Sequence, residues 1–499
     1  MTYTTFLPNY YSNIIKQQQS TINGDNVYFY VADGVPQSAT ANTNIKSNYD
    51  ELETLNQILY GGKVKANNII CLIRRINWVS GKVFEQYNSR DPNLSEKDFY
   101  CITVERNVYK CLNNNGGVPS TFMPTTQQTG RFRTADGYVW QFMYNLSSNE
   151  LIDYSVQNYM PCIVNSNVQN NAVRASLSSI EVLNGGNYET LSGGYVSAVQ
   201  SNTLVSIVST ALPINNIYTN MGFYISSGTG EGSLSQITQY TANTSGRWVT
   251  LNPPLINVGI DSVYEIAPFV KITGNGTNAT ARAVMNGSTV KRVDILNPGV
   301  NYTHVTATLQ TNTSYNTAGT LLVNPSPVDG HGGDIYTEFF ASAYLINIDL
   351  DGYVINNMPR LNDIKFSKIG TIKNVRKFLN ESEAYTANSY NNTFMATVTP
   401  TFGNYSRGDV LKPVSVNNPT ATIVFANTTH VVGVYESQTA FFANNSSVIN
   451  QNGLTGIITS ISQPEVSLKS ADIISQVNIN SIKRTEASKE ILQLLVKIK

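Results

Sequence analysis

The chain runs to 499 residues, with 33 Lys and Arg against 33 Asp and Glu, a formal net charge of +0. A single core stops growing near ~250 to 300 residues, so this length predicts about three domains, and the even charge excludes a net field that draws the whole molecule to nucleic acid or an anionic membrane. Charged residues are only 13% of the chain and aromatics 10%, with 29 Tyr; Asn, Ser, Thr and Tyr carry the polarity instead, which excludes disorder throughout and points to β-structure with many loops.

The opening stretch MTYTTFLPNYYSNIIKQQQ lacks the basic and continuously apolar regions of a signal peptide. Behind Pro8, the spacing of Tyr11, Ile14 and Ile15 predicts a helix over 9–19, and Leu52, Leu55 and Leu59 predict a second over 48–60, stopped by Gly61 and Gly62. VYFYV (27–31) and IICLI (69–73) read as short strands flanking that helix, so the first 150 residues are expected to mix α and β. From about 170 to 325, Gly, Asn, Ser and Thr punctuate strand-length apolar pieces, the pattern of an all-β region. Within it, IEVLNGGNY (180–188) returns as VDILNPGVNY (293–302); two copies are too few for a solenoid and predict matching strand–turn elements. GTGEGS (228–233) and GNGTNATARA (274–283) follow neither phosphate-loop pattern and read as turns. Residues 335–375 are more densely apolar and predict a second packed layer, while 383–462 read as another β-rich elaboration with strands at 421–425 and 431–435. The closing EILQLLVKIK fits a helix or a strand equally, and no stretch reaches the ~20 apolar residues of a membrane span.

Chemistry-bearing motifs are sparse. Cys71, Cys101, Cys111 and Cys162 show no CxxC spacing and read as buried thiols. His304, His331 and His430 are widely separated, with no HExxH pair and no GxSxG elbow, so no catalytic, cofactor-binding or metal-binding residue is predicted. In DGHGGD, Asp329, His331 and Asp334, followed by Glu338, have the residue types of a divalent-ion site, but three glycines equally describe a tight loop. Asp349 and Asp351 in DLDG begin like a calcium loop, yet position twelve is Arg360, and a β-turn is the expectation. Arg74 and Arg75 beside Trp78, and Arg131 and Arg133 near Tyr138 and Trp140, place cations among aromatics. In a neutral chain this favours pairing with carboxylates and stacking on rings, inside a domain or at an interface, over nucleic-acid binding. A carboxylate pair for glycoside hydrolysis leaves no sequence signature.

Several segments resemble a known family. RRINWVSGKVFEQYNSRD (74–91), VYKCLNNNGGVPS (108–120) with TADGYVWQFMYNL (134–146), and DGHGGDIYTEFF (329–340) with FSKIGTIKN (366–374) are similar in order and rough spacing to the baseplate wedge subunits of contractile-tailed (myovirus) bacteriophages, the dimeric wedge protein family. The Asp-Gly-Tyr-x-Trp core at 136–140 is the most specific match, whereas Asn480 and Ser481 stand where the family's closing segment carries Arg-Pro-Pro.

The resemblance implies a non-enzymatic structural virion protein of the tail baseplate, assembled in the host cytoplasm. It implies a homodimer that links inner wedge proteins to peripheral fibre-attachment proteins, with no cofactor, no nucleic acid and no membrane insertion. Arg74, Arg75, Trp78, Asp136, Gly137, Tyr138 and Trp140 become candidate scaffold or interface residues. The expected fold is mainly β with a few short helices and several domains, β-sandwich-like, with nested β-rich insertions. Its expected parts are an N-terminal scaffold (1–165), a β-rich insertion (166–328), a scaffold return (329–382), a second insertion (383–462) and a C-terminal scaffold segment (463–499). The competing expectation is a tail fibre or tailspike-like protein that binds or cleaves host glycans.

Overall fold

A computed structural model describes residues 26–33, 48–65, 68–156, 158–349, 365–401, 403–436, 440–483 and 491–497. Strand takes up 50% of the chain and helix 6%, which makes the protein mainly β, in several sheets and more than one domain. The described residues divide into two compact units, one within Ile73–Ala341 and the other within Asn13–Leu72 and Ser342–Lys499. The division at Leu72/Ile73 and Ala341/Ser342 falls inside the segments 1–165 and 329–382, because Ile69, Ile70, Cys71 and Leu72 pair with Ala343–Ile346 across nearly the whole unit between them.

In the first unit, an antiparallel four-stranded sheet runs in the order Tyr100–Ile102, Asn107–Asn113, Val139–Asn145, Arg131–Arg133. Tyr109, Tyr138, Trp140 and Tyr144 are fully buried there, so the aromatic content of this stretch makes the core. Beyond it, the region expected to be all-β forms a twelve-stranded sheet system from Leu177–Asn184 to Thr320–Pro325. Its strands alternate as half-buried strands must: in Val305–Gln310 every second side chain is buried. Phe223, Ile225, Ile237, Val249 and Tyr264 centre one core, and Leu177, Ile180, Val270, Val293 and Val323 another.

The sequence echo is one device used twice. Asn184 Oδ1 accepts from Gly186 N at 2.8 Å, and Asn297 Oδ1 accepts from Gly299 N at 2.9 Å. Both glycines take positive φ, +68° and +64°, with Tyr188 and Tyr302 packed so close that a Cβ would sit 2.9 and 2.7 Å from their rings. The turn thus turns the strand and seats a tyrosine whose hydroxyl accepts a backbone N–H, from Gly319 at 3.0 Å and from Ala279 at 3.4 Å.

In the second unit, an antiparallel sheet runs Ser389–Asn391, Ile58–Lys63, Tyr28–Ala32, Lys365–Lys373, Asp472–Lys483. Residues 394–462 close into a six-stranded barrel, with Phe394, Leu411, Ile423, Val448 and Ile458 filling it as the interior of a small barrel requires.

Two expectations change, and one left open is decided. The helix predicted over 48–60 spans Asn48–Gln57, and Ile58–Lys63 is a strand. Gly61 is not a helix stop: a Cβ there would lie 2.0 Å from Phe29 O and 2.6 Å from the Tyr390 ring, so glycine lets that ring lie on the sheet. Residues 274–283 are mostly strand, Thr277–Asn286, with only a short turn after Gly274. The closing segment is a strand, Ile491–Lys497, in which Leu492 and Leu494 are buried while Ile491 and Gln493 are exposed. The helix predicted over 9–19, together with Asp351 and Arg360, lies outside the described residues. All four cysteines are buried, and no described helix is long and apolar enough to cross a membrane.

Candidate functional site

The Asp-Gly-Tyr-x-Trp core forms the hairpin between Arg131–Arg133 and Val139–Asn145. Thr134 N donates to Tyr138 O at 3.0 Å and Gly137 N to Thr134 O at 2.9 Å, closing the turn. Gly137 has φ +88°, and a Cβ there would meet Asn115 Nδ2 at 2.7 Å. The Asp136 carboxylate fastens this turn to a second loop. Its Oδ2 accepts from Ser120 Oγ (3.0 Å), Thr121 N (2.8 Å) and Phe122 N (3.0 Å), and its Oδ1 from Thr134 Oγ1 (2.5 Å) and Tyr138 N (3.3 Å). Burial pushes its pKa up, but these bonds to the charged form outweigh it and hold the carboxyl below its usual range. Trp78 joins through Ser120, whose hydroxyl accepts from Trp78 Nε1 at 3.2 Å. Tyr138 donates from its hydroxyl to Val118 O, and its ring stacks on Trp140 at 5.4 Å and 15°. Phe84 also meets Trp140 edge-on at 5.4 Å.

The structure therefore brings Trp78, Asp136, Gly137, Tyr138 and Trp140 together, and it places Arg74 and Arg75 apart from them. Arg74 reaches Asp98 at 2.8 Å and Lys97 O at 2.7 Å, and Asp98 also holds Lys82 at 2.6 Å. Arg75 donates to Asn77 Oδ1 at 3.0 Å. The expected pairing of arginines with carboxylates holds for Arg74 with Asp98 and Arg133 with Asp294. The cations found over rings are Lys82 on Phe84, Lys110 on Tyr87 and Arg282 on Tyr224, none of them an arginine singled out from the sequence.

The strongest polar constellation was not among the predicted site residues. Lys110, in the strand Asn107–Asn113, is fully buried against Glu338 and His331. Its ammonium pairs with Glu338 Oε1 and lies 2.8 Å from His331 Nδ1 and 3.3 Å from the Tyr87 ring centroid. An ammonium has only donors, so Nδ1 accepts and the imidazole proton sits on Nε2, which donates to Ser178 Oγ at 3.1 Å. Glu338 Oε2 accepts from Gly332 N at 2.6 Å. Burial pushes Lys110 down to about 8 against the pull of Glu338, so it stays protonated at neutral pH. Burial and then the Lys110 charge push His331 down to about 4. Burial alone would raise Glu338, but Lys110 and His331 hold it near 2.

Ser178, His331 and Glu338 are connected like a nucleophile, a base and its orienting acid. The comparison fails chemically, because a general base must accept a proton, and the ammonium against Nδ1 disfavours the imidazolium that would form. The ion about which His331 and Glu338 gather is Lys110 itself. Asp334, from the same loop, caps the short helix Ile335–Glu338 by accepting from Thr337 N at 3.4 Å.

Beside this cluster lies a cleft of about 490 Å³ whose walls include Tyr87, Tyr302, Asp329, Asp334 and Phe340. A scan against protein-family models gives no match for the chain, and neither does a search of curated proteins.

Proposed function

We propose that the protein is a structural subunit of a contractile phage tail, a baseplate wedge component that pairs with a second copy of itself and joins inner wedge proteins to peripheral, fibre-bearing ones. The observation that carries this reading is the use made of the Asp136 carboxylate. In the segment most similar to the wedge family, that carboxylate accepts five bonds from the protein's own loops, from Ser120, Thr121, Phe122, Thr134 and Tyr138. A carboxylate so occupied has little capacity left for a substrate, and it suits a body that keeps its shape within an assembly. Apolar loop tips fit the same role: Ile256 and Ile260 are 85% and 70% exposed on one loop of the first unit, and large exposed aliphatics suit burial by a partner.

Light scattering of the purified chain, alone and mixed with the other tail proteins of its phage, tests the reading. A dimer that joins a larger complex is the expected result; a chain that stays monomeric and ignores those proteins refutes it. A second reading, a tail fibre or tailspike-like protein acting on host glycan, draws on the cleft, whose wall includes the Asp329 carboxylate. Release of reducing ends from host polysaccharide, lost on Asp329→Asn, would favour that reading over the first.

A further inference from the structure

Four arginines of the first unit converge where the small sheet meets the insertion. Antiparallel register places Arg282 opposite Asp294, with Arg292 two residues before Asp294 on the same strand. Arg133 Nη2 lies 2.5 Å from Asp294 Oδ1, Arg292 Nε 3.0 Å from the same atom, and Arg282 Nη2 3.6 Å from Oδ2. Arg282 also reaches Glu265 at 3.2 Å. Among the described residues Arg131 has no carboxylate partner: its guanidinium donates to Ser178 O at 3.2 Å and Leu177 O at 2.8 Å. Three guanidiniums thus share two carboxylates while Arg131 has neither, and the surplus positive charge is partly withdrawn from water, with the Arg133, Arg282 and Arg292 side chains 32%, 21% and 29% exposed. The like charges register on one another: burial first, then Arg292 and Arg282, lower the pKa of Arg133 despite Asp294 beside it.

Two of these arginines, Arg131 and Arg133, line a pocket of about 200 Å³ with Asn113, Ser179, Asp294 and the apolar Phe132, room for more than one water or a small ion, while Arg282 and Arg292 are not among its walls. Arg131 uses two of its five N–H donors on backbone carbonyls, so its guanidinium has donors to spare. Half-buried excess cations with spare donors call for an anion, and planar guanidinium forks match oxyanions. Asp294 adds a condition. A carboxylate in the same wall repels a fully deprotonated oxyanion but accepts a hydrogen bond from one that carries a proton.

We propose that this pocket binds a protonated phosphate group, with Arg131 and Arg133 donating to its oxygens and Asp294 accepting from its P–OH. The shared chemistry admits free inorganic phosphate or the terminal phosphate monoester of a sugar, and it rules against sulfate, which has no proton to offer near neutral pH. This site is independent of any role in a tail.

Isothermal titration of the full chain with inorganic phosphate, glucose 6-phosphate and sulfate at about pH 6, where a phosphate monoester is still partly protonated, tests the assignment. Phosphate binding at least about tenfold tighter than sulfate is expected, with a loss of about tenfold or more in Arg133→Gln, the scale of one charge-assisted bond. Glucose 6-phosphate binding as well as phosphate would assign a sugar monoester; phosphate alone would assign the free ion. Asp294→Asn supplies a test that misfolding cannot imitate, because it replaces an acceptor-only group by one that donates: sulfate should then bind about as tightly as phosphate. Phosphate failing to bind the wild-type chain, sulfate matching it there, or Asp294→Asn leaving the preference intact would each overturn the proposal.

Discussion

Replacing Lys110 by Met is the sharpest perturbation the structure offers. Met fills much the same volume, so the packing against Tyr87 largely survives and what disappears is the charge. Glu338 is then left buried with Gly332 N as its remaining backbone donor and no counter-ion. Breaking a buried ion pair on one side costs about 3 to 5 kcal/mol, a large share of a domain's ~5 to 15 kcal/mol. Trp78, Trp140 and Trp248 all lie in the first unit, so urea unfolding followed by tryptophan fluorescence reports on that unit alone.

The pH dependence gives the prediction its second handle. In the wild-type chain Glu338 titrates near 2, below its ordinary range, so its contribution is present above ~4.5 and is lost as pH falls toward 2. His331, depressed to about 4, likewise contributes stability above ~6.5 that is lost as pH falls toward 4, on the order of 3 kcal/mol for that shift. Without Lys110, burial raises the Glu338 pKa and the imidazole protonates more readily, so both acid losses shrink. The deficit of Lys110→Met should therefore narrow as pH falls below about 7. The double variant Lys110→Met, Glu338→Gln should recover most of it, since no buried charge is left unpaired. A deficit under about 1 kcal/mol, or one that does not change between about pH 7 and 4.5, would refute the account of this cluster.

Asp136→Asn presents an amide where every partner is a donor, and should cost about 2 kcal/mol in the same urea assay while loosening the loop at Ser120–Phe122, read as faster amide exchange there. Trp140→Ala empties the space between Tyr138 and Phe84 and should cost about 3 to 5 kcal/mol, with Trp140→Phe losing less because Trp140 Nε1 has no acceptor to forfeit. If alanine at Asp136 and at Trp140 left folding and assembly both unchanged, neither residue would be part of the scaffold. Gly61→Ala drives a methyl group into Phe29 O and the Tyr390 ring and should destabilise the second unit by roughly 3 kcal/mol or more, visible as an early transition in thermal circular dichroism that leaves tryptophan fluorescence unmoved.

Much of the architecture was legible because its determinants are local. Gly, Asn and Thr mark the ends of strands in 170–325 through their own backbone preferences, and the echo at Asn184 and Asn297 is a turn whose side-chain acceptor, positive-φ glycine and tyrosine all lie within a few residues. The hairpin at Asp136 was not predicted, although its turn is as local. Its link to Ser120 was not legible, since nothing in either loop's sequence states which one the carboxylate will face.

What escaped reading depends on partners far away in the chain. Ile58, Leu59 and Tyr60 continue the helical spacing of Leu52 and Leu55, and only pairing with Tyr28–Ala32 on one side and Ser389–Asn391 on the other makes them a strand. Lys110 is the stronger case. A lone lysine inside VYKCLN ordinarily marks the solvent face of a half-buried strand, yet here its flanking residues on both faces are buried, and the neutralising Glu338 comes from 228 positions later. The signal was present in two halves: a cation in an otherwise apolar strand, and an acid beside a histidine in a Gly-rich loop with no cation of its own. Each half violates the rule that buried charge must be paired, so each predicts the other once burial is granted. The acid and the histidine of the loop 329–338 left a divalent ion and a tight loop equally open as readings, because the cation that pairs with Glu338 is an ammonium from a strand far away in the chain.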